Sequence, residues 1–129
     1  MANFIPYELN LSPRKRGDTI WVYITNATDR DGNSVTLSDY TLRAVLKYVT
    51  DTADNDSSAI SVVTSGAGIT VSGDDATVQF PATSTDDVTP APNTLKYEVQ
   101  ASKTADVTIV RTLVYGTVPI MQDDVKTSP

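Results

Sequence analysis

Residues 18–25 read "DTIWVYIT". In an extended chain Ile20, Val22 and Ile24 share one face, and Trp21 and Tyr23 share the other. A period of two in β-branched and aromatic residues defines a strand. Both of its faces are apolar. The strand is therefore expected to be central in a sheet, or to turn its second face to a partner.

Working outward, Asp18 directly precedes this strand and is expected to order its start. Downstream, "TDRDGNSV" at Thr28–Val35 sets Asp29, Asp31 and Asn33 around Gly32. A calcium loop of the EF-hand kind needs Gly at its sixth position and a bidentate Glu at its twelfth. Counted from Asp29 those places hold Ser34 and Tyr40, and Gly32 comes two places early. A turn explains more. Gly32 supplies a positive φ, and "DG" after an alternating strand signals a hairpin. This turn is expected to fix the register between the two strands it joins.

Alternation recurs down the chain. "TLRAVLKYV" from Thr41 sets Leu42, Ala44, Leu46 and Tyr48 opposite Arg43, Val45, Lys47 and Val49. "TLKYEVQAS" from Thr94 sets Leu95, Tyr97, Val99 and Ala101 opposite Lys96, Glu98 and Gln100. "AISVVTS", "ITVS" and "ATVQF" are short strands, separated by the turns "GAG" at Gly66–Gly68 and "GDD" at Gly73–Asp75. "VTIVRTLVYGTVPI" at Val107–Ile120 is the last strand or strand pair, reached through the turn "KTAD". "TDTADNDSS" reads as an exposed loop. In "ATSTDDVTPAPN", Ser84 or Thr85 is placed to cap one helical turn before Pro90 and Pro92. About seven short strands with regular turns predict an all-β fold, an immunoglobulin-like β-sandwich. The expected division is an N-terminal arm at 1–12, the sandwich at 13–120 and a C-terminal tail at 121–129.

A chain of 129 residues fits one domain. It contains no Cys and no His. That excludes disulfides, thiolate or imidazole metal sites, and a Ser-His-Asp triad. The acid pairs Asp74–Asp75, Asp86–Asp87 and Asp123–Asp124 are adjacent residues in loops, which suits solvation better than general acid–base work. No cofactor and no catalysis are expected. A net charge of −6 repels phosphate backbones, so nucleic acid is not an expected partner. No secretory signal and no membrane-spanning run is visible. "RGD" at Arg16–Asp18 is a tripeptide of little specificity. Trp21, Tyr23 and Tyr48 are candidates for a carbohydrate-stacking surface, though such aromatics more often anchor cores or interfaces.

Taken together, "RGDTIWVYITNATDRDGNSVTLSDYTLRAVLKY" resembles the bacteriophage immunoglobulin-like domain found at the N-terminus of phage baseplate upper proteins. The resemblance rests on the strand start at Gly17–Thr19, the turn at Asp31–Asn33, "TLSDY" at Thr36–Tyr40 and the pair Arg43–Ala44. It continues through "SGAGITV", "TVQFPAT", "YEVQA" and "RTLVYGTVPI", and covers roughly Pro13 to Ile120. It implies a virion structural protein, made in the host cytoplasm and assembled into the particle. Standing alone, such a domain commonly decorates or cements the capsid, or adapts one tail or baseplate part to another. The expected partners are other virion proteins and further copies of the chain, with no membrane involved. The residues expected to make those contacts are Phe4, Ile5, Tyr7 and Leu9 in the N-terminal arm, the basic run Arg14, Lys15 and Arg16, and Ile120 with Met121 at the C-terminal end. The alternative is a module that binds glycans on the host surface.

Overall fold

The structure is a computed structural model, and it describes residues 6–15, 17–50, 59–83, 93–103 and 106–121. Among these residues nine strands follow in chain order. They are β1 (Tyr7–Glu8), β2 (Arg14–Lys15), β3 (Ile20–Ile24), β4 (Tyr40–Tyr48), β5 (Ser61–Ser65), β6 (Gly68–Ser72), β7 (Asp75–Phe80), β8 (Asn93–Lys103) and β9 (Asp106–Met121). One 3-10 turn, Leu37–Asp39, precedes β4. All strands belong to one mixed sheet, ordered β1-β9-β8-β4-β5-β6-β7-β3, with β2 also on β9. The fold is all-β.

The sheet curls so that both ends line one core. Ile20, Val22, Ile69, Val78 and Phe80 from one end share a cluster with Leu42, Leu46, Leu95, Val99 and Ile120 from the other. Each of these is essentially fully buried, and each contributes about 1.5–3 kcal/mol by leaving water. The alternation expected for β4 and β8 is realised: Leu42, Ala44 and Leu46 are buried, as are Leu95, Tyr97, Val99 and Ala101. β9 is one strand of 16 residues. It breaks alternation at Leu113 and Val114, which are both buried. The register with β8 slips there, between Val99 and Gln100. The bulge lets two consecutive apolar side chains reach the core.

A tight bend lies between β5 and β6. Gly66 and Gly68 both have positive φ, +82° and +107°. A Cβ on Gly68 would stand 2.6 Å from Val63 Cβ. The two strands pair through Thr64 and Ser65 against Gly68 and Ile69. β6 and β7 form a hairpin closed at Ser72 and Asp75. Gly73, with φ +61°, takes the first central place of its two-residue turn.

The topology decides two points the sequence left to expectation. β3 is not central but stands at the end of the sheet, paired with β7. The turn at 29–33 does not set the register between β3 and β4, because these strands are not neighbours. The chain crosses from one end of the sheet to the middle. Its turn closes only a local bridge between Thr28 and Ser34. The crossing is stitched to the β6–β7 turn: Ala27 N–H donates to Asp74 O at 2.9 Å, Leu37 N–H to Gly73 O at 2.8 Å, and Asn26 N–H to the Asp75 carboxylate at 2.9 Å.

The helical turn expected near Ser84, most of the loop from Thr50, and the middle of the "KTAD" turn lie outside the described residues.

Candidate partner-binding surface

β3 combines an open edge with an exposed aromatic face. Among the described residues it pairs with β7 alone, through Ile20–Phe80, Trp21–Gln79, Val22–Val78, Tyr23–Thr77 and Ile24–Ala76. The N–H and C=O groups that alternate along its other side have no strand beside them among those residues. Ile20 and Val22 are in the core, whereas Trp21 is 39% and Tyr23 63% exposed. The two rings stack, with centroids 6.2 Å apart and planes 4° from parallel. Gln79 and Thr77 stand beside them on β7, and Thr70 lies beyond Thr77 on β6. No charged residue and no proline interrupts Ile20–Ile24. Edge strands usually carry such interruptions to discourage pairing with other chains.

The second edge is built differently. Tyr7 and Glu8 run parallel to β9 against Val114 and Tyr115, and Arg14 and Lys15 run against Ile120 and Met121. Between them Leu9 N–H donates to Tyr115 O and Leu11 N–H to Thr117 O, both at 2.8 Å. The register slips by one residue over this stretch. The slip falls between Leu11 and Arg14; before it, the Asn10 side-chain oxygen accepts from Thr117 N–H at 3.1 Å and from its hydroxyl at 3.2 Å. Leu9 and Leu11 pack against the core. The segment expected to be an extended arm is, from Tyr7 onward, part of the sheet, because its strand pairs, the Leu9 and Leu11 N–H groups and the two leucines are satisfied there.

The residues expected to contact partners are therefore scattered. Phe4, Ile5 and Arg16 lie outside the described residues. Tyr7 is 64% exposed and Met121 41%, and both remain on the surface. Leu9 is half-buried against the core. Arg14 Nη1 donates to Ser12 O at 2.9 Å and Ser12 Oγ at 2.8 Å, so its guanidinium folds back on its own segment. Lys15 N–H donates to the Asp18 carboxylate at 2.9 Å and Asp18 N–H to Lys15 O at 3.1 Å. Asp18 does order the approach to β3. Ile120 is fully buried and is a core residue, so it is not available to a partner. Tyr48 packs against the core, on the opposite side of the sheet from the exposed Trp21 and Tyr23. The three aromatics do not form one surface.

The turn at Asp29 is held by that residue's carboxylate. One oxygen accepts from Asp31 N–H and Asn33 N–H, each at 2.9 Å. Asp29 N–H donates to Asn33 O, and Gly32, at φ +83°, donates to Asp29 O. The alternating polar residues build a turn of their own. Among the described residues no group of three or more acidic side chains could hold a metal ion. Of the acid pairs, Asp75 accepts the Asn26 N–H, and Asp86–Asp87 and Asp123–Asp124 lie outside the described residues.

Among the described residues one ionisable group is strongly perturbed. Burial, and after it the neighbouring Tyr7, push the Tyr97 hydroxyl up to about 12. That hydroxyl donates to Leu9 O at 2.6 Å, which is a structural use. Sequence reasoning missed this clasp and the open edge. A glycine in mid-strand, Gly116 opposite Tyr97, was the available signal for the clasp, since such glycines mark a close approach of another backbone. For the edge, the signal was the second apolar face of β3 itself.

Comparison with protein-family models and with curated proteins found no match to this chain.

Proposed function

We propose that this chain is a non-enzymatic structural protein of a bacteriophage particle, an immunoglobulin-like domain that binds other virion proteins. The observation that carries the reading is β3, an uncharged strand whose outer edge has no strand beside it among the described residues, with a stacked Trp21–Tyr23 pair facing outward. A strand of this kind binds by extending its sheet into a neighbour, with backbone hydrogen bonds giving affinity and side chains giving specificity. The curled sheet is read as the two facing layers of a sandwich, β3-β7-β6 and β5-β4-β8-β9, meeting at the narrow β5–β6 contact. The resemblance along residues 13–120 supplies the phage assignment. Mass spectrometry of purified particles tests it: the protein is expected as a stoichiometric component. Hundreds of copies per particle would mean capsid decoration, and low tens in multiples of three or six would mean tail or baseplate.

The stacked aromatics favour one second reading, a glycan-binding face. Trp21 and Tyr23 beside Gln79 and Thr77 offer a sugar a stacking surface with hydrogen-bonding neighbours. Binding on a glycan array that is lost in Trp21→Ala would support it, and an array without hits would remove it.

A further inference from the structure

The residues Thr19–Thr25, "TIWVYIT", are symmetric in kind about Val22. Thr19 matches Thr25, Ile20 matches Ile24, and Trp21 matches Tyr23. We propose that β3 pairs antiparallel with β3 of a second copy of this chain, about a two-fold axis through Val22. The pairing joins two sheets into one.

An antiparallel strand pair with this axis sets Val22 opposite Val22, Trp21 opposite Tyr23, Ile20 opposite Ile24 and Thr19 opposite Thr25. Each is a favourable cross-strand combination: β-branched with β-branched, aromatic with aromatic, threonine with threonine. One step further, Asp18 falls opposite Asn26, so no like charges meet. A chain with net charge −6 repels its copy elsewhere, and the uncharged strand is where two copies can approach. On the outer face the stacked pair of each chain lies beside that of its copy, making a two-by-two cluster of four rings. On the core face Ile24, still partly exposed, gains Ile20 of the second copy beside it. A two-fold contact uses the same patch on both subunits, which this strand satisfies by its own sequence.

This names the surface and register of the self-association that the assembly reading expects. It rests on that reading for its setting and on β3 alone for its geometry. A pairing of one short strand is a small interface, at the weak end for protein contacts. We expect a dissociation constant on the order of 10–100 µM for the free protein, favoured further by dense display in a particle.

Sedimentation of the full chain tests the pairing. Trp21→Lys with Tyr23→Lys sets lysine opposite lysine at exposed positions, and is expected to weaken the dimer at least about tenfold. Trp21→Glu with Tyr23→Glu is expected to do the same, and a mixture of the two variants to restore a dimer. The register is read separately. The chain has no cysteine, so Thr25→Cys carries a single nitroxide. The proposed axis puts the two labelled positions six residues apart along the paired strands, about 20 Å at ~3.4 Å per residue. A wild-type chain that stays monomeric to about 1 mM overturns the proposal. So do lysine variants that dimerise like wild type, a label distance far from this value, or a monomer whose Ile20–Ile24 amides are all protected from exchange by another part of the chain. None of these results would remove the protein from particles, so the virion reading fails or stands on its own test.

Discussion

The Tyr97 hydroxyl donates a 2.6 Å hydrogen bond to the Leu9 carbonyl, across 88 positions of the chain. Tyr97 is buried in β8, and Gly116 of β9 lies opposite it. Leu9 passes so closely over Gly116 that no Cβ would fit. These three residues clasp the N-terminal segment to the last strand and so cover β9. The β3 edge has no such cover among the described residues, which is why binding is assigned there.

Removing the clasp's donor tests its weight. Tyr97→Phe leaves the Leu9 carbonyl without its partner and is expected to cost about 1–2 kcal/mol in denaturant unfolding. The effect should also appear as faster amide exchange at Leu9 and Leu11.

The same residue predicts a pH dependence. Its pKa is raised from 10.0 to about 12 in the folded chain. Below 10 the hydroxyl is protonated in both folded and unfolded chains, and its contribution is whole. Between about 10 and 12 the unfolded chain gives up the proton first, so stability falls as pH rises. Wild type should lose on the order of 1–2 kcal/mol more than Tyr97→Phe over this window, solvent screening reducing the full effect of the shift.

Gly116→Ala tests the close approach. The added methyl would meet the Leu9 carbonyl, which is backbone and cannot swing aside. We expect residues 7–11 to detach from β9 and the chain to lose at least about 2 kcal/mol. Thermal unfolding and the exchange of the Leu9 and Leu11 amides would show it.

Gly68→Ala tests the bend between β5 and β6. Its φ of +107° disfavours any side chain, and the new Cβ would overlap Val63. The expected loss is about 2–4 kcal/mol. Gly66→Ala, with positive φ but open space around it, should cost only about 1 kcal/mol. The difference between the two separates overlap from strain.

At the 29–33 turn, Asp29→Ala removes an acceptor used by two backbone N–H groups. It should cost about 1 kcal/mol. Calcium at millimolar concentration should leave the melting temperature of wild type unchanged, since the carboxylate is occupied by the turn.

The strands were legible in the sequence because alternation is a local property. "TLRAVLKYV" and "TLKYEVQAS" report their buried faces directly, and the Asp29 turn reports its own hydrogen bonds. Strand order was not legible. Two apolar faces on "IWVYI" fit a central strand as well as an exposed edge, and only the path of the chain decides between them. A hairpin signature at Asp31–Gly32 likewise describes the turn and not what lies beyond it. Ile120 read as a partner contact at the C-terminal end of the sandwich because polar residues follow it. Its burial comes from Arg14 and Asn93 pairing on either side, which are distant in sequence. The clasp escaped for the same reason: a tyrosine, a glycine and a leucine carry no pattern until the backbone brings them together.

The assembly role is tested most directly by the protein content of purified particles. Peptides of this chain, quantified against those of the major coat protein, should give a fixed copy number that survives stringent purification. Particles that carry no copies, from a host in which the chain is abundantly made, would contradict the account.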